Sequence, residues 1–331
     1  MPARKALITG ITGQDGSYLA ELLLSEGTEV HGTVRRVAME DPSRRFWRIG
    51  HILDRLSLHP ASLESYASLL QIVERVRPDE CYHLAAQSYV SYSFEDAVST
   101  INTNVNGTLN LLSAIKEKAP YCRVYFAGTS EMFGNAPFSP QDEQTPFNPR
   151  SPYGISKVAG FYLAKSFREN QGLFVCNGIC FNHESERRGY EYVTRKISDG
   201  VARIKLGLAD GLRLGNLDAS RDWGYAPDYV QAIHKMLRGA SATDYVVATG
   251  VSHTVREFAV AAFARVGLDS TEFVTVDESL IRPAEAHELR GDATRVTNEL
   301  GWHPTVGFEE LVGIMVDEDL RRARQMPEGR G

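Results

Sequence analysis

Ala6-Leu7-Ile8-Thr9-Gly10-Ile11-Thr12-Gly13-Gln14-Asp15-Gly16 is the stretch whose reading decides the fold. The apolar run predicts a buried strand over Lys5 to Thr9. The amphipathic pattern from Ser17 to Ser25, closed by Gly27, predicts a helix. Between them Gly10, Gly13 and Gly16 recur at intervals of three. A sharp strand-to-helix turn needs free backbone angles, a bound diphosphate needs backbone with no side chain in the way, and the helix needs close packing on the sheet. The helix N-terminus then offers unpaired amides and a positive dipole to phosphate. A glycine-rich turn is weak evidence alone; a strand before it and a helix after it give it a dinucleotide-binding meaning.

The same alternation runs outward from this turn. Strands are predicted over Glu29 to Val34, Cys81 to Ala85, Arg123 to Ala127 and Leu173 to Cys180. Helices fall between them: one carrying Leu69, Leu70, Ile72, Val73 and Val76 and stopping before Pro78, one over Thr103 to Lys118, and one over Ser151 to Asn170. This pattern implies right-handed crossovers and the α/β class: a Rossmann-type doubly wound parallel sheet covered on both faces. After residue 180 the alternation thins. Helices are predicted near Thr194 to Leu206 and Pro227 to Gly239, among short strands and loops. The expectation is a dinucleotide-binding domain over residues 1–180 and a smaller mixed α/β substrate-binding part over 181–331, with segments shared between the two.

A chain of 331 residues suits one large or two intimately joined domains. The formal net charge of -6, with no long basic run, argues against nucleic acid and anionic membranes as partners. The apolar run at Ala6 to Ile8 is too short for a signal peptide or a membrane span, so a cytoplasmic location is expected. Cys81, Cys122, Cys176 and Cys180 lie in strand-like stretches and read as buried free thiols. Cys176 and Cys180 lack a second ligand pair, so no metal is expected.

The second strand runs into Arg35 and Arg36. An acidic residue here would bind the ribose hydroxyls of NAD; two arginines favour the extra phosphate of NADP. Ser151-Pro152-Tyr153-Gly154-Ile155-Ser156-Lys157 places a tyrosine and a lysine four apart, on one helix face. An ammonium beside a phenol favours the phenolate and should lower its pKa, making the pair a general acid/base for a hydroxyl or ketone. Such a pair also occurs by chance on amphipathic helices. The Arg123 strand, however, leads into Gly128-Thr129-Ser130-Glu131, and ligands sit beyond the carboxyl ends of strands in such sheets. Thr129 can hydrogen-bond a substrate oxygen, and Glu131 adds a carboxylate that simple alcohol oxidation does not require.

These residues resemble the extended short-chain dehydrogenase/reductase family of nucleotide-sugar enzymes. Longer stretches resemble the GDP-mannose 4,6-dehydratases: Ala6 to Glu21, Pro149 to Gly154, Phe181-Asn182-His183-Glu184-Ser185-Glu186-Arg187-Arg188-Gly189, Val193 to Ile197, Arg221 to Gly224, and Arg282 to Glu285. The resemblance implies oxidation at C4 of a GDP-hexose, loss of water across C5 and C6, and return of the hydride to C6. It implies that Tyr153 removes the O4 proton, Lys157 supports the phenolate and binds the nicotinamide ribose, Thr129 hydrogen-bonds O4, and Glu131 takes the C5 proton. It assigns Gly10, Thr12, Gly13, Gln14, Asp15, Gly16, Arg35, Arg36, Ser62, Leu63, Leu84, Ala85, Ala86, His183 and Arg188, with Tyr153 and Lys157, to NADP. Ser88, Glu131, Asn182, Val193, Lys196, Arg221 and Arg282 fall to the substrate, with a homodimer or homotetramer as the assembly.

Three departures stand out. Ser62 takes the place of the family's aspartate near the adenine. Val37 to Arg55 replaces a serine-rich loop that commonly helps tetramers form, and Phe133 stands where tyrosine is usual. A 4-keto-6-deoxy reductase, a 4-epimerase or a dehydratase of another GDP-sugar such as a GDP-heptose uses the same tyrosine and lysine. A non-catalytic dinucleotide sensor would commonly lose one of them.

Overall fold

A computed structural model describes residues 3–281 and 288–325. Its strands are β1 (Lys5–Thr9), β2 (Glu29–Val34), β3 (Leu56–Pro60), β4 (Glu80–His83), β5 (Arg123–Thr129), β6 (Phe174–Cys180), β7 (Asn182–Glu184), β8 (Leu212–Leu214), β9 (Ser220–Tyr225), β10 (Asp244–Val247), β11 (Ser252–Thr254) and β12 (Val274–Val276). The helices of eight or more residues are α1 (Gln14–Ser25), α2 (Tyr66–Val76), α3 (Gly107–Lys118), α4 (Pro152–Gln171), α5 (Val193–Lys205), α6 (Ala226–Arg238), α7 (Val255–Arg265) and α8 (Phe308–Gln325).

Seven strands form one parallel sheet in the order β10-β6-β5-β4-β1-β2-β3. Side chains alternate across it, as a period of two requires. Val124 and Phe126 of β5 join the core under α2, α3 and α4, while Tyr125 joins the opposite core under α1 and α6. Both faces are covered, which is why the strands read as continuous apolar runs. The α/β reading therefore holds. Residues beyond 180 return to this layer: β10 pairs with β6, and α6 supplies Val230, Ile233 and Met236 to the α1-side core.

The rest of the later chain builds a smaller body. A three-stranded sheet, β11-β9-β7, and the pair β12-β8 lie with α5, α7 and α8 around Ile197, Val201, Phe258, Phe263, Met315 and Val316. A buried ion pair crosses it. Arg195 on α5 is fully buried, and its Nη2 lies 2.6 Å from Asp319 on α8. Ser198 donates to the same carboxylate at 2.6 Å. Burial pushes the Asp319 carboxyl up to about 6, against the pull of Arg195.

Several boundaries differ from the sequence expectation. α1 begins at Gln14 rather than Ser17, because extended Gly13 caps it directly. β4 ends at His83, since Leu84 and Ala85 curve under the glycine turn. β5 runs on to Thr129. The helix expected from Thr103 starts at Ala97, passes through a wider π-helical turn at Asn102–Asn106 and continues as α3. The four cysteines are free and buried.

Replacing Asp319 with alanine leaves Arg195 buried without its counter-charge. The expected loss is about 3–5 kcal/mol of unfolding free energy, measured by urea denaturation. A loss below about 1 kcal/mol, as for an exposed pair, would contradict the burial argument.

Candidate active site

The crevice opens where β1 and β4, adjacent in the sheet, send their chains to opposite sides. Gly10 takes φ +78°, and a Cβ on it would lie 2.9 Å from the Ala85 amide nitrogen. A Cβ on Gly16 would lie 2.7 Å from Ile11 Cα. Glycine is therefore required at both positions, one for close backbone approach and one for the helix to seat on its own turn.

A directed hydrogen-bond chain holds this approach. The Ala85 amide donates to Thr9 Oγ1 at 3.2 Å, and Thr9 Oγ1 lies 2.8 Å from His83 Nδ1. His83 Nε2 lies 3.1 Å from Thr108 Oγ1, which gives its own proton to the Asn104 carbonyl at 2.6 Å. Thr108 thus accepts from His83, so Nε2 carries the ring proton and Nδ1 accepts from Thr9. Burial and the Lys157 charge push His83 down to about 3, keeping this neutral form.

Asn104, in the π-helical turn, extends the chain. Its amide donates to the Gln87 carbonyl at 3.0 Å and to Ser156 Oγ at 2.9 Å, while its oxygen accepts from the Gln87 amide at 2.8 Å. Ser156 donates to the Tyr153 carbonyl at 2.7 Å. α4 itself is set by Ser151, whose hydroxyl accepts from the Gly154 amide at 3.0 Å, with Pro152 in the first turn. Tyr153 and Lys157 consequently stand one turn apart beside the end of β5.

Both are buried, Tyr153 with 8% and Lys157 with 5% of its surface exposed. Lys157 Nζ donates to the Ala127 carbonyl at 2.8 Å and sits 6.0 Å from the Tyr153 ring centre. Burial lowers Lys157 to about 8. The Tyr153 phenol is raised by burial and by neighbouring Tyr192, with only a partial offset from a Thr129 hydrogen bond. This corrects the expectation of a lowered phenol: loss of water around the oxygen outweighs the lowering by Thr129 and by the Arg188 charge. Thr129 and Glu131 line the same cleft, and the Glu131 amide donates to Thr129 Oγ1 at 3.3 Å.

The opposite wall comes from residues 181–196. His183 is held at both nitrogens: Nδ1 lies 2.7 Å from the Phe181 carbonyl and Nε2 2.9 Å from Asp15. Its ring stacks on Tyr229 at 4.6 Å. Ser185 donates to Gln14 at 2.8 Å. Arg188 pairs with buried Glu184 at 2.9 Å and lies 3.5 Å over the Tyr192 ring, whose hydroxyl is 3.1 Å from Ser88 Oγ.

The cleft encloses about 490 Å³. Gly10, Gly13, Gln14, Asp15, Gly16, Leu84, Ala86, Ser88, Asn182, His183, Arg188, Val193, Lys196 and Arg221 line it with Thr129, Glu131, Tyr153 and Lys157. Thr12 and Ala85 form its supporting backbone. Arg35 and Arg36 are exposed at the carboxyl end of β2, outside the cleft lining. Ser62 is exposed, with its hydroxyl on Glu64 at 3.1 Å, and the Leu63 carbonyl accepts from Asn110 at 3.0 Å. Arg282 lies outside the described residues. Arg48 and Tyr192 also line the cleft, and sequence reading missed both. Tyr192 lies between two quoted motifs; Arg48 sits in a segment with no periodic pattern.

The family described as GDP-mannose 4,6 dehydratase matches residues 7–315. The chain belongs to the GDP-mannose 4,6-dehydratase family. GDP-mannose 4,6 dehydratase 2 of Arabidopsis thaliana is 48% identical, covering 98% of this chain and 89% of that protein. The Homo sapiens GDP-mannose 4,6 dehydratase is 44% identical, covering 98% and 94%. Among solved structures, the UDP-glucose 4-epimerase of Thermus thermophilus in complex with NAD is similar, with TM-score 0.81 and 25% identity over 95% of this chain and 98% of that one.

The Asp15–His183 pair sets a pH dependence. Burial works against the Asp15 carboxylate, but the charge and hydrogen bond of His183 carry it down to about 2. Burial also works against charged His183, yet Asp15 raises it above 6.5. Asp15 contributes stability fully present above 3.8 and lost as pH falls through 2. His183 contributes stability fully present below 6.5 and lost as pH rises through its raised value. The melting-temperature gap between wild type and Asp15→Asn should be widest between about pH 4 and 6.5, narrowing on either side. A gap independent of pH would contradict the pair.

Proposed function

We propose that this protein is a hydro-lyase converting GDP-mannose to GDP-4-keto-6-deoxy-mannose, with NADP as its nicotinamide dinucleotide. The observation that carries the reading is a carboxylate, Glu131, in the same cleft as Thr129, Tyr153 and Lys157. A reductase or epimerase needs the tyrosine and lysine but no second acid/base; eliminating water does.

When bound, the nicotinamide supplies a positive ring that takes a hydride from C4 and gives it back at C6. Tyr153 accepts the O4 proton, and Thr129 holds O4 toward it. Lys157, fixed on the Ala127 carbonyl, places its charge beside the phenol and offers the remaining ammonium protons to a ribose hydroxyl. The C4 ketone acidifies the C5 proton, which Glu131 removes and passes to the C6 hydroxyl as that group departs as water. The proton that Tyr153 took from O4 ends on C5 once C6 has received its hydride, so both residues return to their starting states. Arg188, Lys196, Arg221 and Arg282 supply positive charge for phosphate groups.

NADP over NAD follows from Arg35 and Arg36. Neither has an ion-pair partner among the described residues, and both stand where β2 ends. Val98, Leu109, Ile155 and Tyr162 expose apolar surface on α3, α4 and the helical segment before α3, which supports self-association as a homodimer or homotetramer. Free buried thiols suit a cytoplasmic location. Among the described residues no helix is long and apolar enough to cross a membrane.

Incubation of the purified protein with GDP-mannose and no added reductant should yield the 4-keto-6-deoxy product, detected by mass spectrometry, without net consumption of NADPH. Oxidation of NADPH only when the 4-keto-6-deoxy sugar is offered would establish the reductase instead. Tyr153→Phe and Glu131→Gln should each lower kcat by about 10²–10⁴-fold while dinucleotide affinity stays near wild type. Alanine at both Arg35 and Arg36 should raise the Kd for NADPH about tenfold or more and leave that for NADH unchanged. Equal weakening of both would remove the assignment of this pair to the extra phosphate.

A further inference from the structure

Arg48 enters the cleft from the segment between β2 and β3. Its Nε donates to the Arg187 carbonyl at 2.7 Å, and its Nη1 to the Thr12 carbonyl at 3.4 Å. The guanidinium is thereby held against the glycine turn that precedes α1. The Trp47 ring lies 4.3 Å from Arg48 Cζ. Two of the five N–H groups are used in this way; among the described residues the other three find no acceptor and no carboxylate pairs with the side chain.

The surroundings sharpen the point. Burial lowers Arg48 to about 10, and Arg195, Arg188 and Arg322 add like charge, with Glu191 opposing. The group stays cationic at neutral pH and partly desolvated. Glu191 is its main opposing charge but makes no hydrogen bond or ion pair with it, so an anion on the free N–H groups would relieve a costly state. Beside it, the first amides of α1 have no side-chain cap. A guanidinium and a helix N-terminus therefore meet at one turn, which is a donor set for a diphosphate.

We propose that Arg48 binds the diphosphate of the nicotinamide dinucleotide, adding a forked pair of donors to the amides of the glycine turn. The assignment rests on reading the cleft as a dinucleotide site. It separates Arg48 from Arg35 and Arg36, which address the additional phosphate of NADP, and from Arg221, which lies on the substrate side.

Calorimetric titration of the full chain with NADPH, NADH and GDP tests it. Arg48→Gln should raise the Kd for NADPH and for NADH by the same factor, about tenfold to a hundredfold, and leave GDP unchanged. Arg48→Lys keeps the charge but loses the fork, and should also weaken both dinucleotides equally; it serves if the glutamine variant does not fold. Unchanged dinucleotide affinity, weakening confined to NADPH, or weakening of GDP instead would each overturn the proposal. Wild-type protein that binds neither dinucleotide would overturn the cleft's reading as a dinucleotide site, a failure distinct from that of Arg48.

Discussion

The chain of buried hydrogen bonds from Ala85 through Thr9, His83, Thr108 and Asn104 to Ser156 is the constraint on which the site depends. The direction of its bonds is fixed once His83 is neutral, because Thr108 has already given its proton to a carbonyl. Burial enforces that neutrality. The chain ties the end of β1 to the end of β4, and both to the helix carrying Tyr153 and Lys157. The glycine turn and the reactive pair are therefore positioned by one network rather than by two loops.

Burial also decides the state of the reactive groups. The same removal of water raises Tyr153 and lowers Lys157. In the protein alone the tyrosine is a phenol, and the lysine is a cation held with less margin than usual. Positive charge placed beside a phenol favours the phenolate. Glu131 follows the same strand end and lines the same cleft as Tyr153.

The cleft is also the seam between the two parts of the chain. Asp15 meets His183, Gln14 meets Ser185, Tyr18 donates to Glu186 at 2.6 Å, and Arg187 pairs with Glu21 at 2.7 Å. All four contacts run from α1 to the segment after β6. The helix that follows the glycine turn is thus clamped by the strip that forms the opposite wall of the cleft, and the later chain adds β10 and α6 to the first layer.

Much of this is legible in the residues alone. Glycines at intervals of three, apolar runs of strand length, and Tyr153 four residues before Lys157 are local patterns, and local geometry is what a sequence spells out directly. The strands at Lys5–Thr9 and Glu29–Val34 match their expected bounds to the residue. Thr129 and Glu131 stand out because they lie at and just past a strand end, where ligands gather in such sheets. Tertiary structure decides the rest. Asp15 and His183 are 168 residues apart, Arg48 reaches the glycine turn from a segment without periodicity, and β10 joins the sheet from beyond the first domain. The sign of the Tyr153 shift escapes the sequence for the same reason. A phenol's pKa depends on how much water the whole fold removes, which is a sum over neighbours from distant parts of the chain, while spacing along a helix reports only the one nearby ammonium.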